Sequence, residues 1–252
     1  MKKTLFLAIL PLFLVSCSSN DEDNSLSKSN YTVNYGESIS IGGDGNLIID
    51  NDFVASYENG KIKGVHIGET DAIYEGSQKI SITVNGTSNY LNYPVTEWNA
   101  SKSSVKSKHH GGTLYSEDDE NITYTINSGG KTKYIFMYSF KNGKLTGCGL
   151  VVPTNEVTPF VDWLTQKYYL SMTGDDTIFT AGMDAYNTNK ATTLVGIGVR
   201  SMSTSQYVSS YAYLIAFIPA SSTRGAIDEY STDVMIDRYY EIVKNLELAE
   251  KF

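Results

Sequence analysis

The chain has 252 residues, of which 41% are hydrophobic and 19% are charged, with 28 acidic against 20 basic side chains. This composition excludes a wholly disordered chain, and two cysteines are too few for a disulfide-stapled miniprotein. The acidic excess argues against nucleic-acid binding, because phosphate contacts need a basic surface. The length suits one large or two small domains.

The first sixteen residues have the pattern of a secretory signal peptide. Lys2 and Lys3 precede an apolar run from Leu5 to Val15. As a helix this run would rise about 16 Å, roughly half of a hydrocarbon core, so it is too short to span a membrane. We therefore expect residues 1–16 to be removed as a signal.

The end of this signal resembles the lipobox of bacterial lipoproteins, in Leu14-Val15-Ser16-Cys17. The resemblance implies that Cys17 carries fatty acyl chains such as palmitate, which would anchor the protein to the membrane. Residues 17–30 are polar and are predicted to form a flexible tether. Ser18 follows the cysteine where an aspartate would retain a lipoprotein in the inner membrane, and the acids of 21–23 resemble a surface-export signal. These features predict an outer-membrane lipoprotein exposed at the cell surface, with the inner leaflet of the outer membrane as the alternative.

Residues 31–90 show short alternating runs broken by turn residues, a pattern typical of a small β-sandwich. Val54-Ala55, the segment 59–70 and the alternating run 80–84 resemble the bacterial immunoglobulin-like domain, group 2, over about residues 31–88. The glycines of this segment, Gly60, Gly64 and Gly68, stand at spacings similar to those of the family. The resemblance implies an immunoglobulin-like fold, which occurs in adhesins, in phage tail proteins and as a spacer in surface enzymes. It implies display and adhesion rather than chemistry.

Residues 91–252 mix helical and strand patterns, which favours an α+β domain with an antiparallel sheet and helices on one face. A short helix is predicted within 98–109, capped by Asn99 or Ser101, and a second is predicted to open at Thr158-Pro159 with an apolar face of Phe160, Val161, Leu164 and Tyr168. Strands are predicted at 122–126, 133–141, 144–152, 178–179, 192–200 and 207–218, and Asn142-Gly143 indicates a hairpin. A last helix is predicted after Ser231 or Thr232. The two halves are consistent with a diverged repeat of one helix and three strands, broken near Pro153.

Few residues indicate chemistry, and no cofactor or catalytic residue is predicted. His66 is expected at the surface of a hairpin, and His109 and His110 in a loop. These three histidines and Cys148 do not make a zinc site, and Cys148 is expected to be a small core residue. Ser103 and Lys106 fit the Ser-x-x-Lys pattern of penicillin-recognising enzymes, but the companion motifs are absent. The run Glu117-Asp118-Asp119-Glu120 leaves calcium binding open, since Ca²⁺ takes six to eight oxygen ligands. Asp162 and Asp175-Asp176 could pair as glycosidase acids, a weak signal without geometry.

Tyrosines supply the candidate binding residues of the second part. Tyr207, Tyr211 and Tyr213 would share one face of a continuous strand, and exposed aromatic faces can stack on sugars or meet a protein partner. The sequence therefore predicts a monomeric, non-enzymatic surface protein whose immunoglobulin-like stalk presents an adhesion or ligand-recognition domain. The alternatives are an accessory carbohydrate-binding lipoprotein of a surface glycan-uptake system and a small surface hydrolase. The expected partners are the membrane, through Cys17, and a glycan or protein ligand.

Overall fold

The computed structural model describes residues 26–43, 45–88, 90–172, 180–187, 189–201 and 205–220. These residues are mostly β-sheet with few helices. Cys17, Asp175-Asp176 and the predicted last helix lie outside the described ranges. Among the described residues, no helix is both long and apolar enough to cross a membrane.

The first part, residues 26–88, contains seven strands in two sheets that share one core. Strand β1 pairs in parallel with β7, and β6 joins β7 to β3 by antiparallel pairing, while β5 lies between β2 and β4. Ile82 of the first sheet and Ile62 of the second are both buried in the same cluster. The arrangement is compatible with the predicted β-sandwich. The strands are β1 (Asn30–Asn34), β2 (Ser38–Ser40), β3 (Leu47–Ile49), β4 (Ala55–Glu58), β5 (Lys61–Gly64), β6 (Gly68–Tyr74) and β7 (Gln78–Asn85).

The second part, from residue 90 onward, contains an antiparallel sheet of eight strands in the order β12-β13-β14-β15-β11-β10-β9-β8. A 3-10 turn at Thr154–Glu156 leads into the second helix. The elements are α1 (Lys102–Lys108), β8 (Thr113–Glu117), β9 (Asn121–Ser128), β10 (Lys131–Lys141), β11 (Lys144–Pro153), α2 (Val157–Lys167), β12 (Tyr169–Met172), β13 (Thr180–Met183), β14 (Thr193–Ser201) and β15 (Tyr211–Pro219).

Each half of this sheet consists of one helix followed by four strands, rather than the three predicted. β8 to β11 follow α1, β12 to β15 follow α2, and the halves join where β11 pairs with β15. The sequence interpretation missed β8 and β12. Its strand at 178–179 lies outside the described residues, just before β13. All five residues of β8 are exposed, so that strand lacks the alternation of apolar and polar residues that marks a half-buried strand.

Both described helices pack on the same face of the sheet. Val105 of α1 and Phe160 and Leu164 of α2 belong to one cluster with Phe136 and Phe217 of the sheet. Residues on the opposite face are also buried, in a second cluster that includes Met137, Val151, Leu194, Leu214 and Ala216. Both faces of the sheet therefore carry buried side chains.

Both predicted helices are present: the structure selects one of the two predicted caps of α1 and corrects the start and the buried face of α2. Ser101, and not Asn99, caps α1, since its hydroxyl accepts a hydrogen bond from the Ser104 backbone N–H at 3.2 Å. In α2 the predicted face was wrong at Val161, which is 41% exposed, whereas Trp163 is buried. A helix turns about 100° per residue, so the position three after Phe160 shares its face better than the position one after. Pro159 is the third residue of α2, within the first turn, where a missing N–H breaks no helical hydrogen bond.

Candidate ligand-binding cleft

A cleft of about 690 Å³ lies between the first part of the molecule and the helices of the second. The end of β7, the connector through residues 90–97, the end of α1 and one face of α2 all contribute to its lining. Clefts between structural units are frequent ligand sites when aromatic side chains and a few polar groups converge in them. The side chains of this cleft meet that description.

The aromatic part of the cleft is a stacked pair, Tyr93 and Trp163. The ring centroids are 5.3 Å apart and the planes differ by 10°. Pro94 restricts Tyr93 to an extended backbone, which carries its side chain out of the connector and across α2. Trp163 is 7% exposed, but Tyr93 is 44% exposed. One face of the tyrosine ring is thus fixed against tryptophan while the side chain remains accessible in the cleft.

The cationic part of the cleft is Lys167, the last residue of α2. Its ammonium Nζ donates a hydrogen bond to the Ile67 carbonyl at 3.2 Å. Burial lowers the pKa of Lys167, while Asp184 and Glu69 act in the opposite direction. Lys167 follows Trp163 by four residues, so the two side chains emerge one above the other on the same face of the helix.

Lys167 has no carboxylate partner within the described residues. The ion pairs found there, with nitrogen and oxygen no more than 4.0 Å apart, are Lys106–Glu117, Lys108–Glu97, Lys133–Glu156 and Lys190–Asp52. Lys108 and Glu97 both line the cleft, and an N–O separation of 2.6 Å lets them neutralise each other. Lys167 is therefore the lysine of the described lining that has no carboxylate within 4.0 Å, and Asp184 and Glu69 act on its ammonium from a greater distance.

Backbone and side-chain hydrogen bonds join the first part of the molecule to α2 beside the cleft. The Ile67 N–H donates to the Gln166 carbonyl at 2.7 Å, and the Thr87 N–H donates to Gln166 Oε1 at 2.8 Å. The Ser88 hydroxyl donates to the Pro159 carbonyl at 2.9 Å. A Cβ atom at Gly86 would lie 2.7 Å from the Cδ1 atom of Ile67, so a larger residue there would displace the end of that side chain. These contacts fix the wall of the cleft formed by the first part.

A second aromatic group lies where the first part of the molecule meets the loop after β13. His66 stacks on Phe53 with ring centroids 3.7 Å apart, and Tyr186 meets both rings edge-on. His66 Nδ1 lies 2.8 Å from the Phe53 carbonyl oxygen, and burial lowers the pKa of the imidazole. His66 was expected at the surface of a hairpin, but it is half-buried in this contact.

His109 packs among aromatic rings, although the sequence pattern predicts a loop histidine. The centroids of the His109 and Tyr124 rings are 3.9 Å apart, and His109 Nδ1 lies 2.8 Å from the Tyr138 hydroxyl oxygen. The same hydroxyl accepts a hydrogen bond from the Val95 N–H of the connector. Burial lowers the pKa of His109. His110 is exposed and lines the cleft.

Of the three tyrosines predicted to bind ligand, Tyr211 and Tyr213 share a face of β15, but Tyr207 does not. β15 begins only at Tyr211, and Tyr207 lies in a separate bridge with Thr132, packed against the cluster of Met137. Tyr213 packs against the opposite, helix-side cluster, and Tyr211 is 54% exposed. The expectation of one continuous strand was wrong because residues 208–210 bend, which breaks the alternation of side chains between the faces.

The remaining candidate residues have structural partners. Cys148 is fully buried in the helix-side core, and burial raises the pKa of its thiol. The Ser103 hydroxyl lies 2.9 Å from that of Ser101, and Lys106 pairs with Glu117 at 2.7 Å. Within the acidic run, Asp118 Oδ1 accepts hydrogen bonds from two backbone N–H groups. In the part of the chain described, no group of three or more His, Cys, Asp or Glu side chains is placed to hold a metal ion.

Comparison with protein families, with curated proteins and with solved structures finds no match for this chain. The resemblance of residues 31–88 to the bacterial immunoglobulin-like domain therefore stays a prediction from the sequence.

Proposed function

We propose that this chain is a non-enzymatic recognition protein, anchored by lipid on Cys17 to the outer membrane and exposed at the cell surface. Its immunoglobulin-like part holds an α+β domain, and the ligand binds in the cleft between them. The packing of α1 and α2 on one face of the antiparallel sheet supports the α+β class. The lipobox pattern Leu14-Val15-Ser16-Cys17 supports the anchor.

The observation that carries the proposal is the exposed Tyr93 ring stacked on Trp163 in the cleft. A ring fixed by stacking offers a flat apolar surface and loses little conformational freedom when it meets a ligand. An array of glycans and host proteins, probed with the wild-type protein and with Tyr93→Ala, would test the proposal. Binding to an array component that is lost in Tyr93→Ala supports it. Binding that is unchanged in the variant contradicts a role for the cleft.

The anchor has a test of its own. Replacing Cys17 with alanine removes the thiol that would be acylated, so the protein should move from the membrane fraction to the soluble fraction. Cys148→Ala is the matched control, because that thiol is buried in the core. A Cys17→Ala protein that remains with membranes after a high-salt wash would contradict lipid anchoring.

A second candidate function is accessory carbohydrate binding in a surface glycan-uptake system. The stacked pair favours it, because the apolar face of a sugar ring packs on an aromatic ring while polar neighbours meet the hydroxyl groups. Ser88, Asn85 and Thr96 supply such polar neighbours in the lining. An array whose positive components are all glycans would favour this function over protein adhesion.

A further inference from the structure

We propose that the cleft takes an acidic saccharide, with a sugar ring stacked on Tyr93 and the ligand's carboxylate or sulfate held by the ammonium of Lys167. This inference rests on the proposed function, since it names the ligand class of the same cleft.

Lys167 has hydrogen-bonding capacity that the described structure does not use. An ammonium has three N–H donors, and the described structure gives Lys167 one protein acceptor, the Ile67 carbonyl. A partly buried ammonium with no carboxylate in direct contact has lost hydration that one carbonyl does not replace. A ligand anion would supply a further acceptor and an opposite charge in direct contact with the ammonium.

The spacing between Lys167 and the aromatic pair supports the same ligand class. Residues four apart on a helix have Cβ atoms about 5–6 Å apart on one face. Trp163 fixes Tyr93, so the stacking surface and the ammonium emerge from consecutive turns of α2. One sugar unit that bears an acidic group presents an apolar ring face and an anion at a comparably short separation.

The number of charges in the cleft also favours a ligand with a single anionic contact. Lys108 is paired with Glu97, which leaves Lys167 as the lysine of the described lining with no carboxylate within 4.0 Å. The whole chain has a formal net charge of −8 and would repel an extended polyanion. One local ammonium on an acidic protein therefore suits a ligand that presents one anionic group at a time to the cleft, and not a nucleic acid, which needs many cationic contacts.

The test compares acidic and neutral ligands by calorimetric titration of the full chain in detergent. The probes are an oligogalacturonate, the neutral galactose oligomer of the same length, and a polyglutamate peptide that carries carboxylates without sugar rings. The wild-type protein should bind the oligogalacturonate about tenfold more tightly than the neutral oligomer, and the peptide weakly.

Three variants assign the roles. Lys167→Met keeps the aliphatic stem and should remove the tenfold preference, whereas Lys167→Arg should retain it. Lys106→Met is the matched control, because Lys106 pairs with Glu117 and neither residue lines the cleft. The inference is overturned if wild type does not prefer the oligogalacturonate, if Lys167→Met retains the preference, if Lys167→Arg loses it, or if polyglutamate binds as tightly. If Lys167→Met does not fold, the Lys167→Arg result and the wild-type preference still decide.

Failure of this inference is distinguishable from failure of the proposed function. Equal binding of acidic and neutral oligomers, with both lost in Tyr93→Ala, overturns the acidic preference and leaves the recognition cleft intact. Binding of either oligomer that is unchanged in Tyr93→Ala overturns the cleft itself.

Discussion

At the scale of single residues, burial and its partners decide what each candidate side chain can do. Cys148, a possible nucleophile by residue type alone, is enclosed in the core, and burial raises the pKa of its thiol, which disfavours the reactive thiolate. His109 and His110 are adjacent in sequence but differ in surroundings, since the first stacks among aromatic rings and the second is exposed. The sequence shows the residue types, and the fold shows which of them water reaches.

The lowered pKa of His109 predicts that stability falls in mild acid. The unfolded chain binds a proton at this imidazole below about pH 6.5, while the folded chain binds it only at a lower pH. The contribution of His109 to stability is therefore complete above about pH 6.5 and decreases as the pH falls below that value toward the folded pKa. Thermal unfolding at pH 8 and pH 5 should show a smaller difference in melting temperature for His109→Gln than for wild type.

A neighbouring residue that does not titrate provides the control for this prediction. Ser107→Ala is an exposed change on the same helix and should leave the pH dependence as in wild type. Equal pH dependence in wild type and His109→Gln would show that His109 does not contribute in this range.

At the scale of elements, local sequence patterns predicted the turns and many strands, but they did not indicate what packs against each face of the sheet. Asn142-Gly143 indicates a hairpin from sequence alone, and both residues have the positive φ that such a turn requires, joining β10 to β11. Strand β8 was not predicted, because all of its residues are exposed and its sequence lacks an alternation of apolar and polar residues. Alternation along β15 predicts that Ala212, Leu214 and Ala216 face the core, and all three are buried. Phe217, which lies on the same face as Tyr211 and Tyr213, is buried too. No local pattern could indicate that helices pack along only part of that face.

One face of strand β15 passes from exposed to buried along its length. Tyr211 is 54% exposed, whereas Phe217, six residues further on the same face, is fully buried. Phe217→Ala should lower the free energy of unfolding by about 3–5 kcal/mol, because it leaves a cavity among the helix-side residues. Tyr211→Ala should change it by less than about 1 kcal/mol. Chemical denaturation of both variants checks the contrast, and equal losses would contradict the assigned faces.

At the scale of the whole molecule, the connector is part of the packed structure rather than a loose linker. The polar residues of 89–98, together with Pro94, predict a connector with few contacts that is open to proteases. Tyr90 and Pro94 are buried, however, and Val95 bonds to Tyr138 in the sheet. The cleft forms only in the folded molecule. Tyr93 and Trp163 are 70 positions apart in sequence and become neighbours only when the connector packs against α2. Sequence patterns could identify each part but not their juxtaposition.

The hydrogen bonds of Gln166 predict how firmly the connector is held. Gln166→Ala removes the acceptor of the Thr87 N–H beside the connector, at a cost of about 1 kcal/mol. Local opening should then become roughly fivefold more frequent, and limited proteolysis should cut within residues 86–98 correspondingly faster. Thr165→Ala, an exposed change on the same helix, is the control. Equal cleavage rates in all three proteins would show that the Gln166 contact does not limit opening of the connector.

The proposed function requires that the cleft, and not the exposed end of β15, is the recognition surface. Titration of wild type, Tyr93→Ala and Tyr211→Ala with the tightest-binding component of the glycan and protein array tests that claim most directly. We expect Tyr93→Ala to weaken binding by a few-fold to tenfold, as the loss of one aromatic stacking contact implies, and Tyr211→Ala to bind as wild type does. Weakened binding in Tyr211→Ala with unchanged binding in Tyr93→Ala would contradict the claim and return the site to the tyrosines of β15.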